Sequence, residues 1–127
     1  MIKMKAFSNK WIRSSQTRKQ RKYRANAPLH TRQKFMRASL SKDLRKNGHR
    51  SLGLRTGDKV RIMRGQYKGK DGKVERISLR EERVYITGIE MAKKDGSKTL
   101  YPIHPSNLMI ESPVLDDKKR KQKVEAK

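Results

Sequence analysis

Residues 57–74 constrain the fold of this chain most. In the run Gly57-Asp58-Lys59-Val60-Arg61-Ile62-Met63-Arg64-Gly65-Gln66-Tyr67-Lys68-Gly69-Lys70-Asp71-Gly72-Lys73-Val74, two short half-apolar strand patterns flank a glycine-rich, basic turn. Glycine has no Cβ, so it takes φ > 0 and lets another backbone come close. Lysine beside it is a mobile point charge suited to a phosphate. Any one of Gly65, Gly69 and Gly72 alone reads as a hairpin connection. Together with Lys68, Lys70 and Lys73 they make a phosphate-gripping turn an equal reading.

The charge balance says what such a turn would meet. Among 127 residues, 35 Lys and Arg stand against 12 Asp and Glu, a net charge of +23. A chain so charged repels itself in isolation, and a polyanion, nucleic acid first, is its natural partner. No apolar run approaches the ~18 residues of a membrane span, and the first residues lack an apolar signal core. The expectation is an intracellular protein without a membrane anchor. With no cysteine, disulfides, zinc ribbons and thiol nucleophiles are excluded.

The charge is unevenly spread. Residues 1–50 carry +15, residues 51–110 carry +6 and residues 111–127 carry +2. This divides the chain into a basic N-terminal extension (1–50), a globular part (51–112) and a short charged C-terminal tail (113–127). The globular part reads as β. Val60 and Ile62 alternate with Lys59 and Arg61, the period of a strand with one buried face. Met63 breaks the alternation, which predicts a bend or bulge before Gly65. A second strand runs from Val74 to Ile77, its broken phase implying strong curvature. Arg83 to Ile89 is the clearest third, with Val84 and Ile86 inward and Tyr85 outward. Asp95-Gly96 favours a type I′ hairpin turn. Leu100 to Ile103 follows, pushed to a sheet edge by Pro102, and Asn107 to Ile110 closes the set. Five short strands with regular turn signals predict a small barrel. Its core would be Val60, Ile62, Val74, Ile77, Val84, Ile86, Ile89, Leu100, Ile103, Leu108 and Ile110.

The extension lacks the apolar content to fold on the same terms. Ser8 to Arg24 is expected to be disordered when free. Pro28 opens a stretch with room for one or two helical turns. Ser41, Asp43 and Gly48 have the types of an N-cap, a first-turn acid and a helix stop, which predicts one very short helix.

The pattern Gly57-Asp58-x-Val60-x-Ile62-x-x-Gly65-x-x-Lys68-Gly69-x-x-Gly72-x-Val74 resembles the KOW motif. More specifically, the chain resembles the KOW-type family of large-subunit ribosomal proteins, number twenty-four in the universal naming and twenty-six in the eukaryotic one. Ala27-Pro28, Leu40-Ser41-Lys42-Asp43-Leu44-Arg45 and Ile103-His104-Pro105-Ser106-Asn107 are similar to its archaeal and eukaryotic branch. The likeness covers about residues 18–112. It implies a mainly β protein, a five-stranded SH3-like barrel with an extension containing short helices. It further implies binding to large-subunit rRNA near its 5′ region, early in assembly, close to the polypeptide exit tunnel. The implied setting is the cytoplasmic ribosome, among neighbouring ribosomal proteins and not as a homo-oligomer.

The candidate RNA-binding residues are Arg13, Arg18, Lys19, Arg21, Lys22, Arg24, Arg32, Lys34 and Arg37 of the extension, and Arg64, Gly65, Tyr67, Lys68, Gly69, Lys70 and Lys73 of the turn. Backbone N–H groups and cations of the turn would match a phosphate geometry. The extension would order on RNA and read shape more than sequence. Trp11 and Tyr23 are candidates for stacking on bases, or equally for packing on a neighbouring protein.

His30, His49 and His104 are scattered, without clustered carboxylates, so no metal or cofactor is expected; His104 reads as a turn residue bonding RNA or backbone. Asp58 is expected to bond backbone N–H groups of its turn. Glu81, Glu82 and Glu90 read as surface partners of nearby bases, each pair worth little. No nucleophile–base pair exists, so the chain is not read as an enzyme. Two rival binding roles remain: a transcription elongation factor, and a DNA-compacting protein acting by charge alone. The first usually needs a preceding α/β domain, which residues 1–50 have too few apolar groups to build. A membrane-active cationic protein needs a helix with a wide apolar face, which the extension lacks.

Overall fold

A computed structural model describes residues 13–45 and 48–124. The chain forms two compact units, divided between Phe35 and Met36. The first contains α1 (Thr17–Asn26) and α2 (Leu29–Phe35). Helix α1 is built from strong helix formers such as Arg, Lys and Gln, and Arg24 in its last turn complements the macrodipole. It ends because Pro28 drives Ala27 into extended backbone, ψ 136°. The carbonyl of Pro28 then accepts from the amides of Thr31 and Arg32, which starts α2. Residues 17–24, expected to be disordered, are thus helical; Ser8 to Ile12 lie outside the described residues.

The second unit is a seven-stranded sheet with a short helix. Its strands are β1 (Arg37–Leu40), β2 (Ser51–Gly53), β3 (Lys59–Ile62), β4 (Asp71–Ser78), β5 (Arg83–Ala92), β6 (Lys98–Ile103) and β7 (Leu108–Ser112), in spatial order β2-β1-β7-β3-β4-β5-β6. All five expected strands are present; β1 is an addition from the segment expected to be part of a basic arm, and β2 an addition at the start of the expected globular part. β1 pairs parallel with β7, matching Leu40 to Ile110, while the other ladders are antiparallel. The fold is mainly β, as expected, but the sheet has seven strands and is open, with β2 and β6 at its edges, where a small five-stranded SH3-like barrel was expected. Both edges still feed one core. Leu52 of β2 and Ile103 of β6 belong to the same buried cluster as Leu40, Val60, Ile86, Leu108 and Ile110. A sheet can bury its two edges in one core only by curling, and its register shifts between Val74 and Arg76 and between Lys59 and Val60 supply local twist.

Several local expectations are refined. β3 stops at Ile62, and the Met63 amide donates to the Asn107 carbonyl at 2.7 Å, so there is no bulge at Met63 itself. The turn at Asp95-Gly96 is a three-residue loop closed by Lys93 N–H to Ser97 O at 2.7 Å, with Gly96 at φ +88°. A type I′ turn would need φ > 0 at Asp95 as well. The Asp95 carboxylate accepts from the Ser97 hydroxyl at 2.7 Å and its amide at 3.0 Å. Those bonds, the hydroxyl's first, hold its pKa below the ordinary value. The short helix after Ser41 is a 3-10 turn, Lys42–Leu44, without a side-chain cap. Of the expected core, Ile77 is only partly buried at its margin and Leu100 lies outside it.

Gly72 sits opposite Val60, where β4 turns from β3 toward β5. A Cβ there would lie 2.7 Å from the Thr87 carbonyl oxygen and 2.8 Å from Ile86 Cγ2. Gly72→Ala therefore has to push β5 away, and a loss of about 1–3 kcal/mol is expected. A shift in the urea midpoint at unchanged slope checks it.

The last element was expected to be a charged tail. It is instead helix α3 (Lys118–Val124), with Arg120 and Val124 buried. Val124 joins the core cluster. No helix among the described residues is long and apolar enough to cross a membrane.

Candidate nucleic-acid interface

Residues 63–70 form a loop fastened at its base by β3. Ile62 N–H donates to Lys70 O and Gly69 N–H to Ile62 O, both at 2.8 Å. Gly65 and Gly69 turn the chain at φ +96° and +88°, backbone that side chains rarely adopt. No atom beyond the chain neighbours lies within 4 Å of a Cβ built on either, so backbone conformation, not space, is what calls for glycine there. Gly72 is different in kind, being required for close approach.

The loop spends its own amides. Lys68 N–H donates to Gly65 O at 3.2 Å and Lys70 N–H to Tyr67 O at 3.1 Å, in addition to the Gly69 bond. The expected phosphate cradle of backbone N–H groups at Lys68, Gly69 and Lys70 is therefore already satisfied internally. Side chains are left to meet an anion, and Arg64, Lys68, Lys70 and Lys73 are all exposed. Tyr67 anchors them from below. Its hydroxyl donates to the Glu90 carbonyl at 3.1 Å, its ring packs on Tyr101 at 5.0 Å, and Lys70 Nζ lies 5.2 Å over it.

Neighbouring charges on the sheet are matched to acids. Arg61 lies 3.1 Å from Glu111, and Lys59 lies 3.6 Å from Asp71. The loop cations therefore stand out as a positive patch beside a largely neutralised strand. Glu82 lies 3.8 Å from His104 Nε2, and Glu81 accepts from the Tyr85 hydroxyl at 3.3 Å. His104 caps the 3-10 turn Pro105–Asn107, its Nδ1 accepting from the Ser106 amide at 3.2 Å, the backbone half of its expected role.

The extension divides its candidates. Arg18, Lys19, Arg21, Lys22 and Arg24 are exposed along α1, with exposed Arg13 before it and exposed Lys34 on α2. Arg32 serves the fold instead, because its guanidinium donates to the carbonyls of Ala25 and Ala27 and closes the C-terminal end of α1. Arg24 lies 4.9 Å over the Phe35 ring. Arg37 is exposed at the start of β1 and donates to Ser51 O at 3.2 Å. Tyr23 is buried, with its ring 5.9 Å from Phe35, so it presents no face for a base; Trp11 lies outside the described residues. His30 and His49 are exposed and far apart in sequence.

Behind the sheet lies a group that the sequence pattern revealed only in part. Asp58, fully buried, accepts from Arg55 N–H at 2.9 Å, as expected of a turn-fixing carboxylate. It also accepts from Val114 N–H at 2.9 Å and makes a two-pronged ion pair with Arg120 of α3. Arg120 donates further to the carbonyls of Val114 and Gly53. Every polar atom of the pair that lies buried has a partner. Arg120 escapes a reading of the sequence because a base among bases looks solvated; the one signal is Val124 four residues on, the spacing of a single helix face.

Comparison with known proteins gives the family. The family model that describes the eukaryotic L26 and archaeal L24 ribosomal proteins matches residues 14–127, and so takes in α3. A Methanocella arvoryzae protein named large ribosomal subunit protein uL24 is 47% identical over 116 residues, 91% of this chain and 94% of the relative. A Methanosarcina barkeri protein of the same name is 48% identical over 112 residues, 87% of this chain and 97% of the relative.

Proposed function

From the premise that the chain belongs to the family of eukaryotic L26 and archaeal L24 ribosomal proteins, we propose that it is a structural, non-catalytic constituent of the large ribosomal subunit. It resides in the cytoplasmic ribosome and binds large-subunit rRNA near the 5′ region, close to the polypeptide exit tunnel, joining early in assembly. Its neighbours there are other large-subunit proteins, and it works as a single copy. Strands β3 to β7 act as an SH3-like barrel extended by β1 and β2. Residues 1–50 serve as the basic RNA-binding extension, and α3 within residues 113–127 locks the sheet unit.

The observation that carries this reading is the loop of residues 63–70, which holds Arg64, Lys68 and Lys70 exposed on a base tied by paired 2.8 Å hydrogen bonds. A loop whose backbone is already fixed loses little backbone entropy on meeting phosphates, and its spacing of cations discriminates by RNA shape. Cations of α1 add weak contacts whose strength falls with salt. Shape and phosphate pattern, not base identity, then set the site.

Gly69→Val tests the loop. At φ +88° a β-branched side chain is strained by roughly 1–2 kcal/mol, enough to displace Lys68 and Lys70. On a sucrose gradient in moderate salt, wild type is expected with large subunits and the variant is expected to be depleted there. Equal co-sedimentation would remove the loop from the grip. Competition by duplex DNA as effective as that by rRNA would favour the charge-only reading instead.

A further inference from the structure

Beside the loop, between it, β6 and the turn Pro105–Asn107, opens a cavity of about 260 Å³. Its lining combines Arg64 and Arg83, the rings of Tyr67 and Tyr101, and the polar side chains of His104 and Asn107. We infer that this cavity accepts a single unstacked nucleotide of an RNA strand, its base against the tyrosine corner and its phosphate toward the arginines. The inference rests on the RNA-binding reading above and names a recognition element within it.

The chemistry of the lining selects that occupant. Tyr67 and Tyr101 stand 5.0 Å apart at 57°, so they form a corner and not a closed stack. A nucleobase presents a flat π-face to such a corner whatever its identity. Tyr67 is held from outside by its bond to Glu90 O at 3.1 Å, so the corner is preorganised. Arg83 is steered by its bond to the Glu82 carbonyl at 3.0 Å, and Arg64 is exposed at the rim. Two guanidiniums beside an aromatic corner match the joined anion and ring of a nucleotide. The volume lies just below the ~300–1,000 Å³ of pockets for drug-sized ligands, which suits one nucleotide and excludes a duplex. A base pair cannot enter, so the strand must be locally unpaired.

The test uses the full chain and three probes: a single-stranded pentaribonucleotide, the same strand in a duplex, and inorganic phosphate. Backbone amide NMR shifts report where each binds. The single strand is expected to move Tyr67, Tyr101 and Asn107 saturably, whereas the duplex and phosphate move only the loop cations. Tyr101→Leu should weaken single-strand binding roughly tenfold or more and Tyr101→Phe should not. Arg64→Gln, at an exposed position that leaves folding intact, should weaken it severalfold. Identical shifts from phosphate and single strand, or wild-type affinity in both Tyr101→Leu and Arg64→Gln, would overturn the pocket. Binding of an rRNA fragment is measured alongside. If the fragment binds wild type while the pocket stays silent, the pocket alone fails; if the fragment binds no better than duplex DNA, the larger reading fails and takes the pocket with it.

Discussion

Arg120→Met is expected to destabilise the protein by about 3–5 kcal/mol, because Asp58 would be left buried with its charge uncompensated. Asp58 is fully buried and Arg120 is 6% exposed, so water screens neither. The guanidinium also satisfies the carbonyls of Gly53 and Val114, which would lose their donor in the same stroke. Domains hold only ~5–15 kcal/mol in total, so this single change would consume a large share. Urea denaturation of the variant measures it. The double variant Asp58→Asn with Arg120→Met is expected to recover part of the loss, since no charge is then buried. Asn still offers one acceptor oxygen to Arg55 N–H or Val114 N–H, though not to both. If the single variant loses under ~1 kcal/mol, the size of an exposed ion pair, α3 is not clasped to the sheet as described.

Deleting residues 1–26 is expected to have the largest effect on binding. The deletion removes nine Lys and Arg, among them Arg13, Arg18, Lys19, Arg21, Lys22 and Arg24. Each phosphate neutralised contributes ~0.7–0.9 to the slope of log K against log salt. The truncated chain should therefore bind an rRNA fragment with a slope flatter by several units, and orders of magnitude more weakly at low salt. The loop cations would remain, so a residual slope of a few units is the expected remainder. An unchanged slope would take the extension out of the mechanism. Arg32 lies outside the deletion, and its role in closing α1 would simply become redundant.

The two experiments separate folding from binding. The clasp lies in the sheet unit and is made of protein–protein contacts. Arg13, Arg18, Lys19, Arg21, Lys22 and Arg24 of the extension stand at exposed positions, where each contributes little to stability and is available to a polyanion. A variant of one should leave the readout of the other largely intact.

Strands whose β-branched apolar residues alternate with polar ones are written in the chain itself. Val60, Ile62, Val84, Ile86 and Ile110 are legible because a period of two survives in any one-faced strand, and they are the most deeply buried aliphatic side chains of β3, β5 and β7. The loop glycines and lysines are legible because glycines clustered within a few residues mark a turn. The remainder depends on how distant parts of the chain come together. Ala38 and Leu40 alternate too, but neither is β-branched, and without the strand preference that Val60 and Ile62 carry the pattern is too weak to mark a strand. Only the parallel pairing with β7 makes Leu40 a core residue. Arg120 and Asp58 are 62 residues apart, and a charge reads as solvated until the fold removes its water. Local periodicity is carried by neighbouring residues, whereas burial of a charge depends on which distant surface closes over it.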